Sequence, residues 1–332
     1  MVFAMPSVAM HSQVKRVLLT GATGFVGSHL HPALVRAGFD VVGASRDPAR
    51  AKRRFPGREF CRCELSDRPS IAAALATADA AVYLVHGMAA GDGDYESAER
   101  RMAADFLAAA EHAGLSRIVY LGGMRPTGQP SKHLRSRLAT GEILRGGSVS
   151  TIELQASMII GRGSESWLIV RDLAMRLPAM VLPRWMRHRS QPVAIDDVAA
   201  ALTRAITLTH EGSAAYPLPG PEVLSGRETL ERVARLRGIR PVIVEIPLLT
   251  PHLSSYWIQL VTRADKHLAA ELVEGLTSDL VAPDRGFWAL MPDYELTPFD
   301  RAAEQALADD EADLSLLARA SERMLHTLTR RA

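Results

Sequence analysis

The sequence predicts a doubly wound α/β fold: a parallel sheet with helices on both faces, joined to a smaller C-terminal substrate lobe. Two observations carry this expectation. Short apolar runs alternate with amphipathic stretches over roughly the first half of the chain, the signature of repeated strand–helix–strand units. The first unit, Arg16 to Gly27, reads RVLLTGATGFVG, with an apolar strand from Val17 to Thr20 followed by Gly21, Gly24 and Gly27. Val26, Leu30, Ala33, Leu34 and Ala37 then recur at helical spacing, which places the glycines in a strand-to-helix turn.

The later elements follow in order. Gly38 closes the first helix, and Pro32 inside it predicts a kink, since an interior proline costs on the order of 3 kcal/mol. Asp40–Ser45 (DVVGAS) reads as the second strand and Arg58–Leu65 as the third. Ser66-Asp67 is placed to cap a helix from Ile71 to Ala78. Ala80–Val85 (AAVYLV) is continuously apolar, as suits a central strand buried on both faces. After a loop at Gly91–Asp94, a helix carries Met102, Phe106, Ala109 and Ala113 on its inner stripe. Arg117–Leu121 and Thr151–Ile160 read as the fifth and sixth strands.

Beyond Gly161 the rhythm changes, and proline, arginine and tryptophan between Leu177 and Pro192 mark a loop-rich excursion over about residues 162–190. QPVAIDDVAAAL then returns to a strand-like piece and a helix capped by Asp196 or Asp197. The first domain is therefore expected over 14–212 and the smaller lobe over 213–332. That lobe reads as a turn at Pro217–Pro221, a helix Gly226–Leu236, a strand Pro241–Ile246, helices Leu253–Val261 and Lys266–Leu276, and a charged helical tail from Asp300.

Bulk composition excludes several classes. A formal charge of +2 gives no basis for nucleic-acid binding. No apolar run approaches the roughly 18 residues of a membrane helix, and the first fifteen residues lack a signal peptide's basic start and apolar core. Cys61 and Cys63 share a strand face without a second cysteine pair, so they are expected to be reduced core thiols of a cytoplasmic protein, with no metal site. HLSSYWIQLV presents Leu253, Trp257, Leu260 and Val261 as an apolar stripe, for core burial by default, or else for a dimer face or a membrane surface, and monomer and homodimer both stay open. Motifs of metalloproteases, serine hydrolases and Walker loops do not occur.

The glycine turn predicts a dinucleotide site. Its open backbone N–H groups at a helix start face a pyrophosphate, and the expected contacts are Gly21, Thr23, Gly24, Phe25, Val26 and Gly27. The second strand ends Ser45-Arg46, with Arg50 a turn later. A hydroxyl beside guanidinium groups suits a 2′-phosphate, so NADP(H) is expected over NAD(H). Asp47 weakens that reading, and a solvated basic turn ahead of Lys52, Arg53 and Arg54 is the alternative.

TGATGFVG, the Ser-Arg after strand two, YLGG after strand five and PVAIDDVAAAL together resemble an atypical short-chain dehydrogenase/reductase. The similarity is to the NAD(P)H-binding, NmrA-like and extended-epimerase-like branch; it covers roughly residues 15–240 and, more loosely, the second lobe, and implies a Rossmann domain. The resemblance further implies that Glu64 and Leu65 lie by the adenine, and Leu84, Val85, His86 and Gly87 by the ribose and pyrophosphate. Gly122, Gly123, Ala156, Ser157 and Met158 would then approach the nicotinamide. Active members carry a serine after strand five and a YxxxK pair on the next helix. Here Gly122-Gly123 stands for the serine, and SKHLRSRLATGE puts His133 at the tyrosine position and Arg137 at the lysine position. His133 could act as a general acid near neutral pH, and Arg137 could bond ribose hydroxyls. Equally, both could be polar residues on an exposed helix face.

Tyr83, Tyr95 and Tyr120 are other proton-donor candidates, although Tyr83 and Tyr120 lie in strands where packing is the expected role. His86 ends strand four as either a pocket residue or a loop histidine. Arg184, Arg187, His188 and Arg189 could bind an anionic substrate or form a solvated basic loop, and Trp167 and Trp185 could close a pocket or fill the interlobe core. The resulting expectation is an NADPH-dependent reductase of a small organic carbonyl or activated C=C compound. The alternatives are an NADP(H)-binding sensor or scaffold without turnover, and a lyase, isomerase or cyclase reusing the crevice.

Overall fold

Seven parallel strands form the central sheet of the computed structural model, which describes residues 14–86, 95–176, 179–246 and 278–312. The elements run β1 (Arg16–Leu19), α1 (Phe25–Arg36), β2 (Asp40–Ser45), α2 (Pro48–Arg54), β3 (Glu59–Arg62), α3 (Arg68–Leu75), β4 (Ala80–Tyr83) and α4 (Tyr95–Ala113). They continue with β5 (Arg117–Gly123), α5 (Lys132–Arg145), β6 (Thr151–Ala156), β7 (Ile159–Ile160), α6 (Glu165–Arg176), β8 (Ala179–Pro183), β9 (Arg189–Ser190) and β10 (Val193–Ala194). The last are α7 (Ile195–Ile206), β11 (Ala214–Pro217), β12 (Leu224–Ser225), α8 (Gly226–Leu236), β13 (Val242–Ile246) and α9 (Phe299–Ala312). The expected loop at Gly91–Asp94 and the segments Leu253–Val261 and Lys266–Leu276, HLSSYWIQLV among them, lie outside the described residues. No described helix is long and apolar enough to cross a membrane.

The sheet order is β11-β6-β5-β4-β1-β2-β3, so chain order reverses between β4 and β1. In such a Rossmann-type sheet the crevice lies beyond the carboxyl ends of the strands at that reversal. β4 and β5 are buried at every position, as the continuous apolar run of β4 predicts for a strand covered on both faces. One face packs Leu30 and Leu34 of α1 with Val198 and Leu202 of α7. The other packs Ile71, Phe106 and Leu144 from α3, α4 and α5. Cys63 is buried and its thiol is pushed up to about 12 by desolvation, while Cys61 is half-buried; both are free thiols.

Several local expectations change. α1 continues through Pro32 as one element, and the carbonyl of Ser28, which loses its Pro32 partner, accepts from the Arg58 guanidinium at 3.2 Å. α3 starts at Arg68 with Asp67 at its N-cap position, as expected, but the Asp67 side chain makes no capping bond. α7 is capped by Ala194, so neither Asp196 nor Asp197 is the cap. The buried Asp197 carboxylate instead accepts from Tyr294 Oη at 3.0 Å and from the Thr297 N–H and hydroxyl at 3.0 and 2.9 Å, tying the C-terminal segment to α7. The third strand shortens to Glu59–Arg62. The expected sixth strand splits, because β7 leaves the main sheet to pair with β10.

The sheet also extends past residue 212, since β11 pairs with β6 as its edge strand. A 3₁₀ turn at Gly286–Leu290 buries Phe287 and Trp288 in the same core, with Trp288 Nε1 donating to Pro219 O at 2.7 Å. The smaller lobe is therefore assembled from pieces distant in sequence: α6, the 184–187 turn, α8 and α9 share one apolar cluster. Trp167 is fully buried there and donates to Asp310 Oδ2 at 3.1 Å, so it fills lobe core.

Candidate active site

β1 delivers the chain into the glycine turn at the crevice. Gly21 takes a positive φ of 63°, and a Cβ on Gly27 would stand 2.8 Å from Ala22 Cα, so α1 packs directly on the turn. Gly24 is the N-cap residue, is exposed, and offers no side chain to the N–H groups that follow; no acidic residue occupies the first turn. Uncovered donors at the positive end of a helix fit a pyrophosphate. Thr23, Phe25 and Val26 are partly exposed around them.

At the end of β2, Arg46 and Arg50 are exposed and make no ion pair among the described residues. Asp47 does not neutralise them by a side-chain bridge. Its carboxylate caps α2, accepting from the Arg50 backbone N–H at 2.9 Å, and its own N–H donates to Ser45 Oγ at 3.2 Å. Two unpaired guanidinium groups beside a hydroxyl fit a dianionic phosphate. Glu64 is half-buried, whereas Leu65 packs into the core with Ile71 and Tyr83. Leu84, Val85 and His86 are half-buried beyond β4, the Leu84 N–H donating to Thr20 Oγ1 at 2.9 Å. Gly87 lies outside the described residues.

His133 and Arg137 sit one turn apart on α5 and are half-buried rather than on an exposed face. Arg137 Nη2 donates to Leu121 O at 3.2 Å, and the Tyr120 hydroxyl donates to Arg137 O at 2.9 Å. The His86 ring lies 6.4 Å from that of His133 and 6.1 Å from that of Tyr120. Desolvation, then the charge of Arg137, lowers the His133 pKa to about 3, so its ring is neutral at pH 7. His86 is lowered well below its ordinary value, first by desolvation and then by Arg137 and His133. Burial raises the phenols of Tyr83 and Tyr120, which pack in the core as their strand positions predict. General acid catalysis by His133 near neutral pH therefore lacks its protonated form.

Gly123 is one of the two glycines at the position where the family resemblance would place a serine. A Cβ there would run into Leu134 Cδ1, with Arg137 Nε 3.7 Å away. Leu134 occupies the volume that a residue-123 side chain would need. Beside it lies a cavity of about 180 Å³ at the carboxyl ends of β5 and β6. Its lining draws Gly123, Ala156, Ser157, Met158, His133 and Arg137 from the Rossmann domain and Leu173, Trp185, Met186 and Leu230 from the smaller lobe. Arg137 is the one cation in this lining at neutral pH. Trp185 is thus a pocket residue, unlike Trp167. Arg184, Arg187, His188 and Arg189 face outward, with His188 and Arg189 on Asp279 at 3.1 and 3.3 Å, so these four side chains are not part of the cavity wall.

Met186, Leu173 and Leu230 carry no mark in the sequence beyond apolarity, and only the return of α6 and α8 onto the Rossmann domain brings them to the site. Comparison with curated protein sequences finds no match. Among solved structures, triphenylmethane reductase from Citrobacter sp. aligns with a TM-score of 0.70 at 16% identity, covering 88% of this chain and 99% of that one. An Escherichia coli NADPH-dependent quinone oxidoreductase aligns with the same score, identity and coverage. Bordetella bronchiseptica WbmH, solved with NAD+, gives a TM-score of 0.64 at 19% identity, covering 91% of this chain and 100% of that one. A family model described as NAD(P)H-binding matches residues 21–207, from the first glycine of the turn through α7 and over more than half of the 332-residue chain. The chain belongs to this NAD(P)H-binding family.

Proposed function

We propose that the protein is an NADPH-dependent reductase of the atypical short-chain dehydrogenase/reductase type, acting on small, largely apolar carbonyl or activated C=C compounds. The apolar cavity beside Gly123 and Arg137, at the carboxyl ends of β5 and β6, carries this reading. The solved structures named above include a complex of the Citrobacter reductase with NADP(H), which agrees with Arg46 and Arg50 standing unpaired at the end of β2.

NADPH supplies a hydride when bound. The N–H groups opening α1 hold the pyrophosphate, and Arg46 with Arg50 holds the 2′-phosphate. Gly123, Ala156 and Ser157 form the floor against which substrate is oriented, and the apolar wall from the smaller lobe excludes water. Arg137, fixed by Leu121 O, stabilises negative charge developing on an acceptor oxygen. Neutral His133 can hydrogen-bond substrate but holds no acidic proton at pH 7. The proton consequently comes from bulk water as the product anion leaves the cavity, which favours acceptors whose reduced form is a stabilised anion, such as conjugated enones.

Two predictions follow from this geometry. Arg46→Ala is expected to weaken NADPH at least about tenfold, in line with the loss of a hydrogen bond to a charged group, and to leave NADH within about twofold. Titration of both cofactors checks this, and equal losses would overturn the phosphate assignment. With His133 neutral above about pH 3, kcat should be flat between about pH 5 and 8. A step centred near pH 6.5 would assign proton transfer to a histidine after all. The reading as a whole is tested by following reduced-nicotinamide absorbance with a panel of enones, aldehydes and quinones. Tight NADPH binding without oxidation by any of them would favour the second reading, an NADP(H)-binding sensor, which Leu134 packed against Gly123 supports.

A further inference from the structure

Most polar groups around the cavity are already engaged. Ser157 Oγ donates to Gln191 O at 2.9 Å, Thr229 Oγ1 to Ser225 O at 2.9 Å, and Ser166 Oγ shares a 3.0 Å bond with Ser164 Oγ. Ser131 Oγ accepts from the Leu134 N–H as the cap of α5. Two lining donors stand apart: the Nε–H of Arg137 and the indole Nε1–H of Trp185 are buried and have no hydrogen-bond partner. They come from different lobes, Arg137 from α5 of the Rossmann domain and Trp185 from the 184–187 turn of the smaller lobe. A buried donor without an acceptor is costly, and the rest of the wall is mainly apolar side chains.

We infer that the substrate carries two hydrogen-bond acceptors on an otherwise flat, apolar body, one taken by Arg137 at the reacting end and the second by the Trp185 indole N–H at the lobe end. Trp185 is then a specificity-determining residue. It selects, among reducible compounds of similar size, those with a distal carbonyl or comparable oxygen, because a site built around a donor rejects analogues that leave it unpaired. The assignment of the reacting end rests on the reductase reading above, whereas the two-acceptor requirement concerns binding alone.

The test uses the full chain saturated with NADP+, so that no turnover is needed, and two probes of matched shape: 1,4-diacetylbenzene, with two acceptors, and 4-isopropylacetophenone, with one. Calorimetric titration of the wild type is expected to give about tenfold tighter binding of the diketone. Trp185→Phe, which keeps a ring and removes the N–H, is expected to reduce that preference to within about twofold while leaving the one-acceptor probe nearly unchanged. Equal binding of both probes by the wild type, or a preference that persists in Trp185→Phe, would overturn the inference. Should the variant fail to fold, the indole N–H resonances of the wild type give the answer. The diketone should shift one of them and 4-isopropylacetophenone should not, and the absence of a diketone-specific shift would equally overturn it. Failure of turnover in the panel assay leaves these binding outcomes intact, so the two readings fail separately.

Discussion

Arg145→Met is expected to destabilise the protein by about 3 kcal/mol, because it strands a buried carboxylate in the middle of the sheet. Glu153 lies on β6 and is 0% exposed, accepting from Arg145 Nε at 2.7 Å and from Gln155 Nε2 at 3.0 Å. Its neighbours are shaped around it: a Cβ on Gly122 or Gly141 would come within 2.5 or 2.6 Å of Glu153 Oε1. Breaking a buried pair from one side typically costs 3–5 kcal/mol, and the lower end applies because the Arg145 side chain keeps 27% of its exposure. Urea unfolding measures the loss, and a change below about 1 kcal/mol would contradict it. Pairing the change with Glu153→Leu should recover much of the stability, since the uncompensated charge is then removed with its partner.

The largest effect on ligand binding is expected at Gly27. In Gly27→Ala the new Cβ would meet Ala22 Cα at 2.8 Å and the Gly21 carbonyl carbon at 2.9 Å, both backbone atoms that cannot rotate away. α1 must therefore lift from the turn, and donors that need heavy-atom distances of about 2.7–3.2 Å lose their aim at the pyrophosphate. NADPH affinity should fall at least about thirtyfold, with about 2 kcal/mol of stability lost to overpacking. Gly24→Ala serves as the comparison: its Cβ would meet only Gly21 O, at 3.2 Å, and should cost less stability than Gly27→Ala. Fluorescence titration of NADPH against both variants decides the matter, and a change of less than about threefold in Gly27→Ala would refute this account of the turn.

These two sites differ in how readable they were. The role of Gly27 follows from spacing, because the turn is local and every residue that shapes it lies within a dozen positions. Glu153 reads only as one residue of an apolar strand, and nothing nearby in sequence announces that Arg145 and two glycines converge on it. His133 and Arg137 could be placed on one helix face by their spacing, but whether that face meets water or a cavity depends on lobe packing. The same limit applies to Trp167 and Trp185, which are alike in sequence context and divergent in position: one buried against Asp310, the other lining the cavity with its N–H unpaired.

The sequence by itself determined the Rossmann domain, the dinucleotide turn and the basic end of β2, because strand and helix periodicity, glycine conformation and charge are properties of neighbours along the chain. The tertiary structure decided the rest. It put β11 at the sheet edge and Phe287 with Trp288 in its core, packed Leu134 against Gly123, neutralised His133 and walled the cavity with α6, the 184–187 turn and α8. Those outcomes depend on desolvation and close contact between residues far apart in sequence, and such contacts exist only once the chain has folded.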